Sequence, residues 1–255
     1  MLDRKCWFRT VCRQNGVEIS DEQIRKLSQY ADILLEWNRS INLISRKDEE
    51  NLWTTHFLHS AAILFRLSLP PHARVLDLGT GGGLPGIPLK ILAPDISITL
   101  LDSAQKKIKV VADIIKNLGL KRALAVWGRA EDVGRKPDHH KRYDVVVARA
   151  VGRLSNLVRW SKPLLRETNR PTEQQAETVR GNAKERIAVK PPALIALKGG
   201  DLQGELGSLT GPTGNLFIRV IDLALKGSAE LEEGEKKIVL IEFGNTPQEE
   251  QRSTF

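Results

Sequence analysis

Apolar residues keep a helical rhythm over roughly the first 70 positions and then change to a strand rhythm. Ile24, Leu27, Tyr30, Ala31 and Leu34 share one helix face. Ser20 with Gln23 three residues later is the capping-box pair that would start that helix. A second helix is predicted from Asp48 to Leu67, with Leu52, Phe57, Ala61 and Leu64 near one face. Pro70 and Pro71 then punctuate the chain, so 1–70 is expected to be an N-terminal helical cap and 71–255 the main domain.

From Arg74 short apolar runs alternate with helical stretches. The runs are RVLDL at 74–78, SITLLD at 97–102, ALAVW at 123–127, YDVVVARA at 143–150 and ALIALKG at 193–199. Between the second and third, Ile108, Val111, Ile114 and Ile115 recur at helical spacing. Strands separated by helices predict a parallel sheet of the α/β class. Residues 216–225 and 236–243 are two further strand-like runs with no helix between them, which predicts an antiparallel hairpin at the sheet edge. Residues 167–190 are polar and carry almost no large apolar side chain, so they are expected to be an insertion loop that cannot order itself.

Composition adds boundaries. The 255 residues are 41% hydrophobic and 27% charged, which excludes global disorder and fibrous repeats. No run approaches the roughly 18 apolar residues of a membrane span. The N-terminal segment places charges inside its only apolar stretch, so it does not read as a secretory signal. Two cysteines, Cys6 and Cys12, make no disulfide framework, so a reducing cytoplasmic setting is expected. The net charge of +8 is uneven: it is 0 over 1–60, +4 over 61–134, +9 over 135–198 and −5 over 199–255. A basic block of this kind suits a polyanion, and equally a solvated surface with a basic insert.

The strongest chemical signal is VLDLGTGGGLPGIPLK at 75–90, where a strand runs into five glycines within eight residues and then into a helix. Glycine permits positive φ and lets a ligand approach bare backbone. Three readings compete. Gly81, Gly83 and Gly86 match the G-x-G-x-x-G of dinucleotide folds, with Asp102 as ribose acceptor. An S-adenosylmethionine site would use Asp77 near the cationic methionine moiety, whereas a pyrophosphate would be repelled there. A structural turn needs no ligand.

The stretch DLGTGGGLPGIPLKILAPDISITLLDSAQKKIKVV resembles the bacterial small-subunit ribosomal RNA methyltransferase G family, also called glucose-inhibited division protein B. The resemblance extends to WNRSINLIS at 37–45, HFLHS at 56–60, RAED at 129–132, ARA at 148–150, IALKG at 195–199 and GEKKIVLI at 234–241. It implies a Rossmann-like, seven-stranded methyltransferase sheet with an N-terminal helical cap. It also implies S-adenosyl-L-methionine as cofactor and 16S rRNA, or the small ribosomal subunit, as partner. The methyl group would go to N7 of one guanosine, guanosine 527 in the family. Carried over by position, Gly79, Gly81, Gly83 and Leu84 would surround methionine and ribose, Asp102 the ribose hydroxyls, and Ala130 and Glu131 the adenine. Arg149 would lie between cofactor and substrate.

Arg149 and Lys198 end predicted strands on the ligand side, which makes them the candidate catalytic cations; Asn42 and His56 would shape the substrate pocket. Arg149, Lys198 and Lys236 are expected against RNA, and Arg135, Lys136, Lys141, Arg142, Arg153, Arg159, Lys162 and Arg166 along its phosphates. Guanine N7 carries an unprotonated lone pair, so no general base is needed, and positioning with electrostatic complementarity should suffice. No metal site is expected, because His56 and His59 lack a third ligand. The chain departs from the family at His59, where Asp is usual, and at Lys236, where arginine is common. Lysine keeps the charge but loses the bidentate fork, so Lys236 is expected to anchor phosphate. The competing functions are a methyltransferase with a small-molecule or protein acceptor, an NAD(P) oxidoreductase, and a non-catalytic RNA-binding factor. A monomer is expected.

Overall fold

The computed structural model describes residues 3–168, 176–179, 186–209, 216–228 and 235–244. Helix Arg4–Gln14 (α1) is followed by Asp21–Asn38 (α2), which starts as its sequence dictates. The Gln23 amide donates to the Ser20 hydroxyl at 3.2 Å, and the Ser20 amide donates back to Gln23 Oε1 at 3.0 Å. The helix predicted over 48–67 is broken differently. A 3₁₀ turn covers Arg46–Asp48, a π-helical turn covers Leu52–Phe57, and regular helix runs only over Leu58–Arg66 (α3). The hydroxyls of Thr54 and Thr55 both donate to the Asn51 carbonyl, at 3.1 and 2.8 Å, at the start of the widened turn.

The remaining elements are Leu67–Ser68 (β1), Arg74–Leu78 (β2), Gly86–Leu92 (α4), Ser97–Asp102 (β3), Gln105–Asn117 (α5), Ala123–Trp127 (β4), Ala130–Val133 (α6), Val145–Arg149 (β5) and Leu154–Ser161 (α7). After them come Ala176–Val179 (β6), Ile187–Ala188 (β7), Ala193–Gly199 (β8), Gln203–Gly207 (α8), Leu216–Asp222 (β9) and Lys236–Phe243 (β10). The main sheet has the order β4-β3-β2-β5-β8-β10-β9-β6. All neighbours pair in parallel except β10, which runs against both β8 and β9. The seven-stranded α/β sheet expected from the sequence is therefore present, with one strand added.

Two expectations need correction. β9 and β10 do pair antiparallel on that side of the sheet, with β10 against β8, but β9 is not the last strand. The edge beyond β9 is taken by β6, which lies inside the segment expected to be an unstructured loop. β7 lies there too and pairs with β1. An open sheet edge offers backbone donors and acceptors, so a segment poor in apolar side chains can still add a strand. The rest of the 167–190 expectation falls mostly outside the described residues.

Alternating side chains give the sheet two apolar faces. Val75, Ile98, Val145, Val147 and Ile195 share a core with α1 to α5, so the N-terminal helices form one layer over the sheet. Leu76, Leu78, Val146, Ala148 and Leu194 face α6 and α7. Each fully buried Leu or Ile in these layers contributes about 1.5–3 kcal/mol. Parallel strands place the carboxyl ends of β2, β3, β5 and β8 along one rim. Because β10 is reversed, its first residue, Lys236, reaches that same rim opposite Gly199.

Candidate active site

Two clefts open on this rim. The first, of about 440 Å³, is lined by Gly79, Gly81, Asp102, Ser103, Lys107, Ala130, Glu131, Val151 and Trp160, among others. The Asp102 carboxylate accepts from the Gly81 amide at 2.9 Å with one oxygen and from the Ala104 amide at 2.8 Å with the other. Each oxygen keeps a further lone pair for a ligand. Gly79 has φ +70°, and a Cβ there would come within 2.7 Å of the Val151 side chain. Glycine is therefore required both by conformation and by the close approach of the turn after β5.

Asp77 does not face this cleft. It is fully buried beneath the loop, where Oδ2 accepts from the Thr80 hydroxyl at 2.6 Å and the Gly86 amide at 2.9 Å. Its other oxygen has no hydrogen-bond partner among the described residues, and burial pushes its pKa up to about 7. The expectation that Asp77 meets a cationic ligand is corrected: it ties the loop down from below. Its charge therefore does not separate an S-adenosylmethionine site from a dinucleotide site.

The second cleft, of about 460 Å³, is walled by Asp48, Thr54, Thr55, His56, His59, Arg149, Lys198 and Lys236. Ala150 lines both clefts. It turns the chain away from β5 in the left-handed region, at φ 57°. Arg149 Nη1 donates to His56 Nδ1 at 2.7 Å. Burial, reinforced by Arg149, pushes the His56 pKa down to about 4, so the ring is neutral at pH 7. Asp48 Oδ2 lies 3.6 Å from His56 Nε2, too far for a hydrogen bond. His59 is only 6% exposed, and its Nε2 has no hydrogen-bond partner among the described residues. Burial, with Arg149 and Lys236 adding to it, pushes its pKa down to about 3.

The structure gathers His56, Arg149, Lys198 and Lys236 into this second cleft, as the sequence reading placed them. Lys198 is nevertheless committed. Its ammonium donates to the Gly152 carbonyl at 2.7 Å and pairs with Glu205 Oε2 at 2.8 Å, while Glu205 also accepts from the Leu154 amide at 2.7 Å. It clamps the turn that carries Ala150 and Val151. Asn42 is exposed and lines neither cleft. Asn38, which continues the buried face of α2 four residues after Leu34, organises that loop instead. Its Oδ1 accepts from the amides of Leu43 and Ile44 at 2.8 and 3.0 Å, and its Nδ2 donates to Glu49 at 2.6 Å. Gly83 and Leu84 lie outside the first cleft, and Leu84 is buried.

The basic block over 135–166 does not form one surface. Arg153 follows β5 and precedes α7. Lys141 and Arg142 precede β5, at the opposite end of the sheet, where Lys141 pairs with Glu167 and Arg166 with Asp144. Arg159 stacks near Trp160, 6.0 Å from the ring centroid.

Residues 23–188 match the model of the family described as rRNA small subunit methyltransferase G. The chain belongs to this family. Proteins named ribosomal RNA small subunit methyltransferase G include that of Porphyromonas gingivalis, 41% identical over 188 residues, covering 74% of this chain and 75% of that protein. That of Moorella thermoacetica is 35% identical over 166 residues, covering 65% of this chain and 69% of that protein. Among solved structures, a SAM dependent methyltransferase from Aquifex aeolicus aligns with a TM-score of 0.43 at 13% identity, over 68% of this chain and 83% of that one. The matched region, residues 23–188, contains the glycine loop and Asp102. The match leaves His59 and the Lys198–Glu205 clamp to be explained from this chain's own geometry.

Proposed function

We propose that this chain transfers a methyl group from S-adenosylmethionine to N7 of a guanosine in 16S rRNA, at the position corresponding to guanosine 527. The observation that carries this reading is the meeting of two clefts at Ala150: one built of bare glycine backbone and Asp102, the other rich in cations. The first suits the cofactor by its donor set. Asp102 retains lone pairs for a ribose diol, and a Cβ on Gly81 would meet nothing within 4 Å, so the backbone there lies open. Gly79 and Gly81 would hold the methionine and ribose, and Ala130 would border the adenine. When bound, the cofactor supplies an electrophilic methyl group on a positively charged sulfur.

The chain's own part is orientation. Arg149 and His56 form one wall of the acceptor cleft, and Lys236 offers a cation for a flanking phosphate. Guanine N7 bears no proton, so the neutral rings of His56 and His59 are not needed as bases. Among the described residues no group of three or more His, Cys, Asp or Glu is placed to hold a metal, and no helix is long and apolar enough to cross a membrane. We take the protein to act as a cytoplasmic monomer on the small subunit.

The deciding experiment is methyl transfer from labelled S-adenosylmethionine to small subunits from cells lacking this protein, mapped by cleavage at N7-methylguanosine. One modified guanosine in 16S rRNA supports the reading. Cofactor binding without RNA methylation would favour a small-molecule or protein acceptor, and retained nicotinamide cofactor would favour an oxidoreductase.

A further inference from the structure

We propose that Asp48 selects guanine in the acceptor cleft, accepting from the base's N1–H and 2-amino group while Arg149 donates to O6. This inference rests on the methyl-transfer reading above. One wall of the cleft is an ordered series: Arg149 beside Ala150, then His56 at 2.7 Å, then Asp48 at 3.6 Å from the far side of the ring. Asp48 is the one carboxylate among the described residues lining this cleft. No hydrogen bond to its side chain is made by the described residues, and the side chain is 38% exposed. The turn that carries it is fixed, because Asn38 ties Leu43, Ile44 and Glu49 to the end of α2.

The order of donors and acceptors matches one purine. Guanine presents N7 and O6 as neighbouring acceptors, and its 2-amino donor lies on the far edge. Methylation at N7 requires that edge to face Ala150, where the two clefts meet. O6 then falls at the Arg149 end of the wall, and N1–H with the 2-amino group is carried toward Asp48. Adenine reverses the pattern: its 6-amino donor would meet the Arg149 guanidinium, and its N1 acceptor would meet the carboxylate. Each mismatch leaves a desolvated polar group unpaired.

The experiment uses small subunits reconstituted with guanosine or inosine at the target position; inosine lacks only the 2-amino group. With the intact protein, kcat/KM on the inosine particle is expected to fall roughly 10- to 100-fold. Asp48→Ala should lose a similar factor on guanosine and no longer distinguish the two particles, with unchanged affinity for S-adenosylmethionine. Equal rates on guanosine and inosine with the intact protein would overturn the proposal without any variant. An undiminished preference for guanosine in Asp48→Ala would also overturn it. Absence of transfer to the guanosine particle would overturn the methyl-transfer reading itself, and this inference with it.

Discussion

Arg149 donates to Nδ1 of His56 across 2.7 Å, and a guanidinium has no lone pair to offer in return. The His56 ring therefore keeps its proton on Nε2, the nitrogen that faces Asp48. This bond makes His56 an acceptor for a part-buried cation and adds to the burial that keeps it from charging near neutrality.

One consequence concerns activity. With a pKa near 4, His56 does not titrate between pH 6 and 8, so it should contribute no inflection to kcat near the ordinary histidine value. His56→Ala removes the acceptor and should cost about 1–3 kcal/mol in kcat/KM. His56→Gln offers a carbonyl oxygen and should recover part of the loss. Single-turnover kinetics across pH read both effects.

A second consequence concerns acid stability. His56 and His59 have folded pKa values of about 4 and about 3, below the unfolded value of 6.5. Between those limits the unfolded chain binds more protons, so stability falls as pH drops from about 6.5 toward 3. Asp77 acts with the opposite sign: its folded value near 7 exceeds the ordinary aspartate value of 3.8, so its contribution weakens as pH rises between them. His59→Gln should flatten the acid limb of melting temperature against pH. An unchanged limb would mean His59 is not held neutral.

Asp102→Ala should weaken S-adenosylmethionine binding by about 1–3 kcal/mol. It removes the acceptor of the Gly81 and Ala104 amides together with the lone pairs proposed to meet the ribose. Isothermal titration provides the number, and unchanged affinity would remove Asp102 from the cofactor site.

Glu205→Ala should act on both clefts, because Glu205 and Lys198 together hold the Gly152 carbonyl and the Leu154 amide. KM for cofactor and for RNA should rise together, with a stability loss of about 1–3 kcal/mol in urea unfolding. A change in RNA KM alone would show that Lys198 meets the substrate directly.

Gly79→Ala should nearly abolish cofactor binding, since the new Cβ would lie 2.7 Å from Val151 at a φ of +70°. Adding Val151→Ala should restore space but not the backbone preference, giving partial recovery. Full recovery would show that the turn contact alone demands glycine.

Much of this was legible in the sequence where a local pattern constrains the backbone. The run from Val75 into the glycines fixed a strand, a tight loop and a helix, and Asp102 closing the next strand follows from parallel pairing. Ser20 and Gln23 announced the start of α2 for the same local reason. Tertiary partners were not legible. Lys198 reads as a free cation until α8 returns Glu205 to it. Asp77 reads as a ligand contact until α4 covers it. Asn42 and Asn38 differ only in which one continues the buried face of α2. Asp48 and His56 line one cleft from a 3₁₀ turn and a π-helical turn that stand where regular helix was expected, and no spacing rule reports that. The β6 strand was missed because edge pairing needs backbone and not hydrophobicity.

The reversed direction of β10 also ties the acceptor cleft to the last strand of the sheet. Because that strand runs against its neighbours, its opening residue, Lys236, meets Arg149 and Lys198 at the rim, and its remaining residues fill the gap between β8 and β9. The cofactor cleft is drawn wholly from residues 78–160, whereas the acceptor cleft waits for a residue made much later. A chain cut off before β10 would keep every residue that lines the cofactor cleft and would lack Lys236 from the wall of the other.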